Sequence, residues 1–270
     1  MINIDLNDFS GIVTGGASGI GKEIVKKLLF SGGKVMIADI NEIEGEKTLK
    51  ELYGFKKNLS FIKTDVSKKD EVEILVKKTI ETFNKIDYLV NNAGINIPRL
   101  LVDPEGKEEA TEEIFDRMVN INQKGCFLCA QAVAKEMIKR NRGVIVNISS
   151  ESSLEGSEGQ SIYAATKAAI YSFTRSWAKE LGKFNIRVVG VAPGILEPTA
   201  LRNPEYERAL AYTRGITVEE LRKSYERLSI PLRRVGKLEE VANLVCFLIS
   251  DLASYITGTT INISGGKSRG

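Results

Sequence analysis

A glycine-rich turn, TGGASGIG at residues 14–21, stands between a short apolar run and an amphipathic stretch. Glycine adopts backbone conformations that other residues avoid, so the three spaced glycines permit a tight turn and a close approach of the backbone to a ligand. A helix that opens directly after such a turn directs free N–H groups at a phosphate. The spacing G-x-x-x-G-x-G differs from the commoner G-x-G-x-x-G, but the strand–turn–helix context predicts a dinucleotide site. The predicted contacts are Gly15, Ser18, Gly19, Ile20 and Gly21.

Apolar runs alternate with amphipathic stretches along almost the whole chain. The runs are short and rich in Val and Ile, which is typical of parallel strands buried on both faces. The strand candidates are residues 9–14, 34–39, 59–64, 86–91, 143–149, 186–192 and 260–263. The helix candidates are residues 20–31, 42–53, 68–84, 111–139, 161–184 and 238–250. Repeated βα units predict an α/β protein: a single Rossmann-like domain over residues 1–270, with a doubly wound parallel sheet of about seven strands and helices on both faces.

Residues 195–232 interrupt this alternation. They carry no strand pattern and include NPEYERALAYTRGITVEELRKSYERL, which predicts one or two helices inserted between the sixth and seventh strands. Ligands of open α/β sheets bind outside the carboxyl ends of the strands, so we expect the insertion to serve as a helical substrate lid. A solvated helical excursion that only supports an oligomer is the alternative.

The charges of the chain nearly cancel, with 38 Lys and Arg against 35 Asp and Glu and a net charge of +3. Lys and Glu alternate along the predicted helices, as on solvated faces, which gives no indication of nucleic-acid binding. The first residues, MINIDLNDFSG, lack the basic flank and apolar run of a signal peptide. No apolar stretch approaches the roughly 20 residues of a membrane span. We therefore expect a soluble, cytoplasmic protein that binds neither nucleic acid nor membrane.

Cys126 and Cys129 form a C-x-x-C pair, and Cys246 is the third cysteine. One interpretation is a redox or metal pair, but a structural zinc needs four good ligands and the chain contains no histidine. The segment GCFLCAQAVAKEM also fits an amphipathic helix whose cysteines pack inward. We favour this structural interpretation and predict no metal site.

Asp39 stands at the end of the second predicted strand, 18 residues after the last glycine of the turn. A carboxylate at this place accepts hydrogen bonds from the adenosine ribose hydroxyls and repels a 2′-phosphate. The turn itself offers no Arg or Lys at positions 16–18 to bind such a phosphate. Asp39 and its neighbour Ile40 are therefore predicted cofactor contacts, with NAD(H) preferred over NADP(H). The alternative is that Asp39 caps the helix beginning near Glu42.

The absence of histidine removes the usual proton-transfer residue near neutral pH. Tyr163 and Lys167 are four residues apart in a predicted helix, so their side chains share one face. A nearby ammonium favours the phenolate and lowers the pKa of tyrosine from its usual value of about 10 towards neutral. We therefore predict Tyr163 as the general acid and base, assisted by Lys167, and Ser150 stands thirteen residues upstream of the tyrosine.

Together these residues resemble the short-chain dehydrogenase/reductase family over nearly the whole chain. The matching pieces are TGGASGIG, Asp65-Val66, NNAG at 91–94, Asn122 in NINQKG, Ser150, YAATK at 163–167 and PG at 193–194. Taken singly, Asn122 is also interpretable as a helix-kink residue, Ser150 as a strand cap and NNAG as a simple turn. Seven matches in the family's order favour the functional interpretation.

The resemblance implies a role for each matching residue. Tyr163 is the catalytic acid and base, Lys167 lowers its pKa and holds the nicotinamide ribose, Ser150 bonds the reacting oxygen, and Asn122 holds a water that links Lys167 to solvent. The implied cofactor contacts are Asp65 and Val66 at the adenine, Asn92, Ala93 and Gly94 along the groove, and Pro193, Gly194, Ile195 and Leu196 at the nicotinamide, besides Tyr163 and Lys167. The chain departs from the family pattern at Pro198, where a Thr is common (here Thr199), and at Ser153, where a Gly is common.

Within the family, stretches such as SSESSLEGSEGQSIYAATK are similar to members that interconvert sorbitol 6-phosphate and fructose 6-phosphate with NAD(H). A phosphosugar needs a cation for its phosphate, and Arg99 and the arginines of the insertion are candidates because a guanidinium binds phosphate through two hydrogen bonds. Surface ion pairs with neighbouring glutamates are the alternative for each arginine. Asn96, Glu151, Ser152 and Gln160 are candidates for the sugar hydroxyls. The predicted substrate contacts are Asn96, Arg99, Ser150, Ser152, Gln160, Tyr163 and Arg202.

Three other functions stay open from the sequence. These are the dehydrogenation of an unphosphorylated polyol or sugar, the reduction of a 3-oxoacyl thioester, and a non-catalytic NAD-sensing or scaffold role. The presence of Tyr163, Lys167 and Ser150 argues against the last of them. The resemblance further implies a homotetramer assembled through the long helices predicted at 111–139 and 161–184.

Overall fold

The computed structural model describes residues 4–199, 202–226 and 230–268. Seven strands form one sheet with the order β3-β2-β1-β4-β5-β6-β7, and every neighbouring pair is parallel. The strands are β1 (Ser10–Thr14), β2 (Lys34–Asp39), β3 (Leu59–Lys63), β4 (Tyr88–Asn91), β5 (Gly143–Ile148), β6 (Ile186–Pro193) and β7 (Thr260–Ile263). The predicted doubly wound sheet of seven strands is confirmed, and each strand lies within two residues of its predicted bounds.

Helices cover both faces of the sheet. They are α1 (Gly19–Phe30), α2 (Glu42–Glu51), α3 (Lys69–Phe83), α4 (Glu112–Met118), α5 (Gly125–Arg140), α6 (Ser152–Glu155), α7 (Ser161–Leu181), α8 (Pro204–Thr213), α9 (Val218–Glu226) and α10 (Leu238–Ile249). The single helix predicted at 111–139 is divided, because a π-helical segment, Val119–Lys124, joins α4 to α5. The short helix α6 was not predicted; its four residues are too few for a periodic pattern.

The core consists of two layers, one on each side of the sheet. Alternate residues of one strand enter different layers, since successive side chains of a strand point to opposite faces. Ile12 of β1 packs with residues of α3 and α5, whereas its neighbour Val13 packs with residues of α1 and α10. Both side chains are fully buried. This two-sided burial explains why the strands are apolar throughout.

The strand order reverses at the centre of the sheet, where β1 pairs with β2 on one side and with β4 on the other. The connections leaving the carboxyl ends of β1 and β4 therefore run in opposite directions and open a crevice, the usual ligand position in such sheets. The glycine turn follows β1, and the segment Asn92–Gly94 follows β4. Both predicted cofactor segments consequently meet at this crevice.

The insertion has a small hydrophobic core of its own. Leu210 and Ala211 of α8 pack with Leu221 and Tyr225 of α9, apart from the two main layers. The backbone of Gly236 exchanges hydrogen bonds with Ile195 and Glu197, which ties the end of the excursion to its beginning. Within the predicted range 195–232, residues 200–201 and 227–229 lie outside the described residues.

All three cysteines are buried and unbonded to one another. Burial raises the pKa of the Cys126 thiol to about 12, so a reactive thiolate is disfavoured. Cys129 belongs to the core layer between α5 and the sheet. The predicted inward packing of the C-x-x-C pair is confirmed.

Within the described ranges, no helix combines the length and apolarity that crossing a membrane requires.

Candidate active site

The glycine turn adopts the conformation that its sequence predicted. Gly15 and Gly19 have φ angles of +62° and +53°, a region that residues with a side chain rarely adopt. Gly21 is required for a different reason: a Cβ atom at this position would lie 2.0 Å from the Gly15 carbonyl oxygen. Gly21 therefore packs directly against the backbone of the turn. Gly15, Ser18, Gly19 and Ile20 line the ligand cavity, whereas Gly21 does not.

The segment after β4 braces this turn. The Asn92 side-chain amide donates to the Thr14 and Gly15 carbonyls at 3.0 Å each, and the backbone N–H of Ala93 donates to the Thr14 hydroxyl at 3.1 Å. NNAG was predicted as a groove wall. The structure adds a bracing role that only the adjacency of β1 and β4 reveals.

The N-terminus of α1 is suited to a pyrophosphate. Ser18 is the N-cap residue, and its side chain makes no capping hydrogen bond within the part of the chain that the structure describes. The first N–H groups of a helix lack intrahelical partners, and the helix dipole favours an anion in front of them. Gly15 and Gly19 expose bare backbone beside them. These residues fit the diphosphate of a dinucleotide.

Asp39 occupies the end of β2 beside the turn. Its carboxylate accepts hydrogen bonds from the backbone N–H groups of Ala17 at 3.1 Å and Asn41 at 3.0 Å. The N-cap of α2 is Asn41, whose side chain accepts from Glu44 N, so Asp39 is not the helix cap. Asp39 and the exposed Ile40 both line the cavity. A carboxylate has about four acceptor positions, so Asp39 keeps capacity for ribose hydroxyls.

Asp65 and Val66 form the wall opposite the turn, and both line the cavity. The Asp65 carboxylate accepts from the backbone and hydroxyl of Ser67 at 2.9 and 2.7 Å, which fixes its orientation. Val66 packs tightly against α5, since a Cβ atom on Gly125 would lie 2.7 Å from its side chain.

Lys167 lies under Tyr163 on α7. Its ammonium donates to the Ile148 carbonyl at 2.8 Å and lies 5.8 Å from the centroid of the Tyr163 ring. Only 4% of Lys167 is exposed. Burial lowers the pKa of Lys167 to about 8, because the charged form loses its water.

Tyr163 is partly exposed, and it faces the cavity. Burial of the phenol raises the pKa of Tyr163, and a hydrogen bond with Ser150 opposes this rise. The sequence led us to expect a lowered pKa. The direction differs because desolvation is the larger effect and the Lys167 ammonium is engaged by the Ile148 carbonyl.

The hydroxyl of Ser150 is held by its neighbour Ser152, whose N–H and hydroxyl donate to it at 3.3 and 3.0 Å. Its own proton thus stays available for a third group. Ser150 and Ser152 both line the cavity beside Tyr163.

Asn122 is fully buried in the π-helical segment between α4 and α5. Its side-chain amide donates to the Ile95 carbonyl at 2.9 Å and to the Thr166 hydroxyl at 3.1 Å, and its oxygen accepts from Ile95 N at 2.8 Å. A Cβ atom on Gly94 would lie 3.2 Å from the Asn122 oxygen and 3.5 Å from the Lys167 ammonium. Asn122 therefore lies close to Lys167 and does not line the cavity. π-Helical turns often mark functional sites.

One cavity of about 630 Å³ joins these parts. It runs from the glycine turn, past Tyr163 and Lys167, to helices α8 and α9. The predicted contacts that line it are Gly15, Ser18, Gly19, Ile20, Asp39, Ile40, Asp65, Val66, Asn92, Ala93, Gly94, Asn96, Ser150, Ser152, Gln160, Tyr163, Lys167, Pro193, Gly194, Ile195, Leu196 and Arg202.

The structure does not bring Arg99 to this cavity, which corrects the sequence prediction. The Arg99 guanidinium forms an ion pair with Glu108 at 2.5 Å and donates to the Pro98 carbonyl. Proximity to Gly94 along the chain suggested a place at the mouth of the site. A backbone hydrogen bond from Arg99 to Gly159 instead aligns this segment with the loop before α7.

Several cavity residues lie outside the predicted set. They are Tyr206 of α8, Tyr225 of α9 and Lys267 of the C-terminal segment, which all line the cavity. Arg214, directly after α8, lines it too and is one of the insertion arginines that the sequence offered for a phosphate. The sequence carried no specific signal for Tyr206 or Tyr225, since an aromatic residue on an amphipathic helix usually belongs to a core. Their place follows from how the insertion folds back over the carboxyl edge of the sheet.

Comparison with known proteins identifies the family. Residues 11–209 match the short chain dehydrogenase family. A sorbitol-6-phosphate 2-dehydrogenase of Klebsiella pneumoniae is 58% identical over 270 residues, covering 99% of this chain and 98% of that protein. A 3-oxoacyl-[acyl-carrier-protein] reductase FabG of Thermotoga maritima is 40% identical, covering 94% and 96% of the two chains. The crystal structure of levodione reductase has a TM-score of 0.85 at 31% identity, covering 97% and 98%.

The chain belongs to the short-chain dehydrogenase family. It is an oxidoreductase that acts on a CH–OH group. Enzymes of this family use a nicotinamide cofactor, and the uncapped helix N-terminus, the bare glycine backbone and Asp39 form a cradle that fits one.

Proposed function

We propose that the protein is an NAD-dependent dehydrogenase that interconverts sorbitol 6-phosphate and fructose 6-phosphate. The observation that carries this proposal is the continuity of the cavity. It connects the Tyr163–Lys167–Ser150 group to two arginines of the insertion, Arg202 and Arg214. A ligand that extends from the Tyr163 group to these arginines presents a carbon for oxidation at one end and an anion at the other.

The direction of proton transfer depends on whether the Tyr163 phenol is protonated. Because burial raises the pKa of Tyr163, its phenol is protonated at neutral pH and is able to donate a proton to a ketone oxygen. Ser150 donates a second hydrogen bond to the same oxygen and orients it. The Lys167 ammonium stabilises the phenolate that remains after the transfer. The nicotinamide, when bound, supplies or accepts the hydride.

The preference for NAD(H) rests on Asp39. A 2′-phosphate on the adenosine ribose would face this carboxylate, and like charges at short range repel. Neither the middle of the turn nor the residue after Asp39 contributes a compensating cation, since Gly16, Ala17 and Ser18 are uncharged and Ile40 is apolar.

The phosphate group of the substrate is assigned to Arg202 and Arg214. Both guanidiniums act on the phenol of Tyr225, where they oppose the rise in pKa that burial causes, so the two cations converge on one region of the cavity wall. Arg202 lies 3.9 Å from the Tyr225 ring centroid and bonds Glu207 at 3.4 Å, and Arg214 donates to the Ser157 hydroxyl at 3.2 Å. Arg208 and Arg222 do not line the cavity.

Two other substrates have specific support. The relationship to the FabG reductase of Thermotoga maritima favours a 3-oxoacyl thioester, and the polar wall of Asn96, Ser152 and Gln160 would also accept an unphosphorylated polyol. Arg214 favours the phosphate ester over both, because it forms no ion pair among the described residues and each alternative brings no anion to it.

The remaining parts of the proposal concern the whole chain. We infer that residues 1–270 form one NAD-binding domain in which α8 and α9 act as a substrate lid, and that four copies assemble in the cytoplasm. The position of both helices at the cavity supports the lid. The partly exposed aromatic side chains of α4 and α5, Phe115 and Phe127, support an assembly face.

The decisive experiment is NADH oxidation at neutral pH with fructose 6-phosphate, fructose and acetoacetyl-CoA in parallel, each repeated with NADPH. We expect kcat/KM to be at least about tenfold higher for fructose 6-phosphate than for fructose, and higher with NADH than with NADPH. Equal rates with fructose would remove the phosphate site, and preferential turnover of the thioester would establish the reductase alternative.

A further inference from the structure

Glu151 is a buried carboxylate next to the reacting centre. It follows Ser150 in the chain, lines the cavity, and is 9% exposed. One oxygen, Oε1, forms an ion pair with the Lys267 ammonium at 2.5 Å. The other, Oε2, is buried and has no hydrogen-bond partner among the residues that the structure describes.

The unpartnered oxygen lies against the loop after β6, on a residue that directly follows Ser150 in the chain. A Cβ atom on Gly194 would lie 2.9 Å from Glu151 Oε2, so the oxygen rests against bare backbone. The Glu151 N–H donates to the Pro193 carbonyl at 3.0 Å, which fixes the two segments together. Oε2 therefore has a fixed position beside Gly194, one residue along the chain from Ser150.

A buried carboxylate oxygen without a partner is stabilised by a hydrogen-bond donor from a bound ligand. An ionised carboxylate only accepts hydrogen bonds, and leaving one of its oxygens buried without a partner is unfavourable. Asn96 Oδ1 is a second buried acceptor without a partner among the described residues, and Asn96 lines the same cavity. Two unsatisfied acceptors favour a ligand with several O–H groups, since a carbonyl oxygen has no proton to offer.

Lys267 is held in place by the C-terminal segment. The side-chain amide of Asn262, on the edge strand β7, donates to the Ser268 carbonyl at 3.0 Å, and Ser268 N donates to the Ser264 hydroxyl at 3.3 Å. Gly194 N donates to the Ile263 carbonyl at 3.0 Å, so this segment is anchored to the loop beside Glu151. The ammonium thus fixes Oε1 and leaves Oε2 beside Gly194, a residue that lines the cavity.

We propose that Glu151 is a specificity-determining residue whose Oε2 accepts a hydrogen bond from a substrate hydroxyl on a carbon adjacent to the reacting carbon, and that Lys267 is the residue that positions it. The protein would then be selective for α-hydroxy ketones and the vicinal diols that they form. The inference rests on the proposed function for the hydroxylated substrate, but it does not require the phosphate.

The first test compares Glu151→Gln with the wild type on fructose 6-phosphate and on its 1-deoxy and 3-deoxy analogues. The amide oxygen of the substituted side chain would turn to the Lys267 ammonium and place an NH2 donor where Oε2 accepts. We expect kcat/KM for fructose 6-phosphate to fall by about 10- to 100-fold. For the analogue that lacks the recognised hydroxyl, we expect a change of less than about threefold.

Glu105→Gln is the matched control, because Glu105 also pairs with a lysine at 2.5 Å but lies exposed and away from the cavity. Equal losses on all three substrates would overturn the proposal. A weakened affinity for NADH, measured by fluorescence titration, would also overturn it, since Oε2 would then accept from the cofactor amide.

The second test asks whether Lys267 acts by positioning the Glu151 carboxylate. Lys267→Met should raise KM for fructose 6-phosphate about tenfold while changing kcat less, and Lys267→Arg should restore most of the loss because it still binds Oε1. A uniform loss in both variants would refute the positioning role.

If the wild type does not favour phosphorylated sugars, the proposed function fails, and the test is repeated with hydroxyacetone and acetone. A selective loss on hydroxyacetone in Glu151→Gln would still establish the hydroxyl contact, and equal losses on both ketones would refute it.

Discussion

Tyr163 and Lys167 illustrate how burial decides the chemistry of single residues. The sequence places the two side chains on one helix face, but their pKa values depend on how much water each retains. Burial raises the pKa of the phenol and lowers that of the ammonium to about 8. Both shifts favour the neutral form of each group, but a pKa of about 8 leaves Lys167 mostly charged at neutral pH, as the proposed proton transfer requires.

At the residue scale, Tyr163→Phe should lose turnover and keep cofactor binding. The substitution removes one hydroxyl and leaves the ring that lines the cavity. We expect kcat to fall by about 10²- to 10⁴-fold, the usual contribution of general acid catalysis. Steady-state kinetics and NADH titration measure the two effects. Tyr255→Phe is the control because Tyr255 is fully exposed, and residual activity above about a tenth would remove Tyr163 from the proton transfer.

The lowered pKa of Lys167 predicts how the free energy of unfolding depends on pH. Its folded pKa of about 8 lies below the unfolded value of about 10.4, so between these values the unfolded state binds more protons. The free energy of unfolding should therefore rise with pH across this window, by at most about 3 kcal/mol. Below pH 8 both states are protonated, and the cost of burying the charge is present in full.

The measurement is urea unfolding of the wild type and of Lys167→Met between pH 7 and 10.5. We expect the wild type to gain stability relative to the variant as pH increases. Lys77→Met, at an exposed position, gives the background slope. A constant difference between wild type and Lys167→Met would mean that the pKa of the lysine is the same in the folded and unfolded states, as for a well-hydrated ammonium.

The element scale is represented by the glycine turn between β1 and α1. Here the sequence motif has two physical causes: positive φ angles at Gly15 and Gly19, and close contact at Gly21. The turn is further fixed by Asn92, which comes from the neighbouring strand β4. The cofactor cradle is therefore a joint product of two strand ends.

Gly21→Ala should damage this element. The added methyl group would lie 2.0 Å from the Gly15 carbonyl oxygen and 2.6 Å from the Asn92 amide nitrogen, so the turn must shift. We expect a loss of about 1–3 kcal/mol in unfolding free energy together with weaker NADH binding. Gly54→Ala serves as the control, since no described atom lies within 4 Å of its Cβ position. Unchanged NADH affinity in Gly21→Ala would show that the turn adapts.

At the scale of the whole molecule, two features lie outside the sheet: the insertion, which covers the cavity, and exposed aromatic side chains on the outer helices α4 and α5. Helices α8 and α9 and the turn between them close one side of the cavity through Tyr206, Tyr225 and Arg214. On the outside, Phe115 and Phe127 are 49% and 39% exposed. A partly exposed aromatic pair on neighbouring helices is more typical of an assembly face than of a solvated one.

The expected assembly is a tetramer of about four times 29.8 kDa, measurable by light scattering after size-exclusion chromatography. Phe127→Glu should reduce the mass towards a dimer or monomer, because burying a charge in an interface is unfavourable. Ile43→Glu changes an equally apolar side chain, 80% exposed on α2, and should leave the mass unchanged. A monomeric wild type would end this interpretation.

The sequence by itself determined the sheet, the cofactor turn and the catalytic tetrad candidates. These features are local, because each depends on a short segment of the chain. The segments are an apolar strand of four to eight residues, a set of spaced glycines and a Tyr–Lys pair one helical turn apart. For this reason the strand bounds agreed closely, and Gly15, Asp39, Tyr163 and Lys167 were all placed where the structure has them beside one cavity.

Only the tertiary structure decided which distant residues share the site. Arg99 is close to Gly94 in sequence but pairs with Glu108, whereas Lys267, over a hundred residues from Glu151, forms an ion pair with it at 2.5 Å. The direction of the Tyr163 pKa likewise depends on burial, which no short motif encodes. Contacts and desolvation between remote segments are set by how the insertion and the C-terminal segment pack over the sheet, and that packing has no local signature.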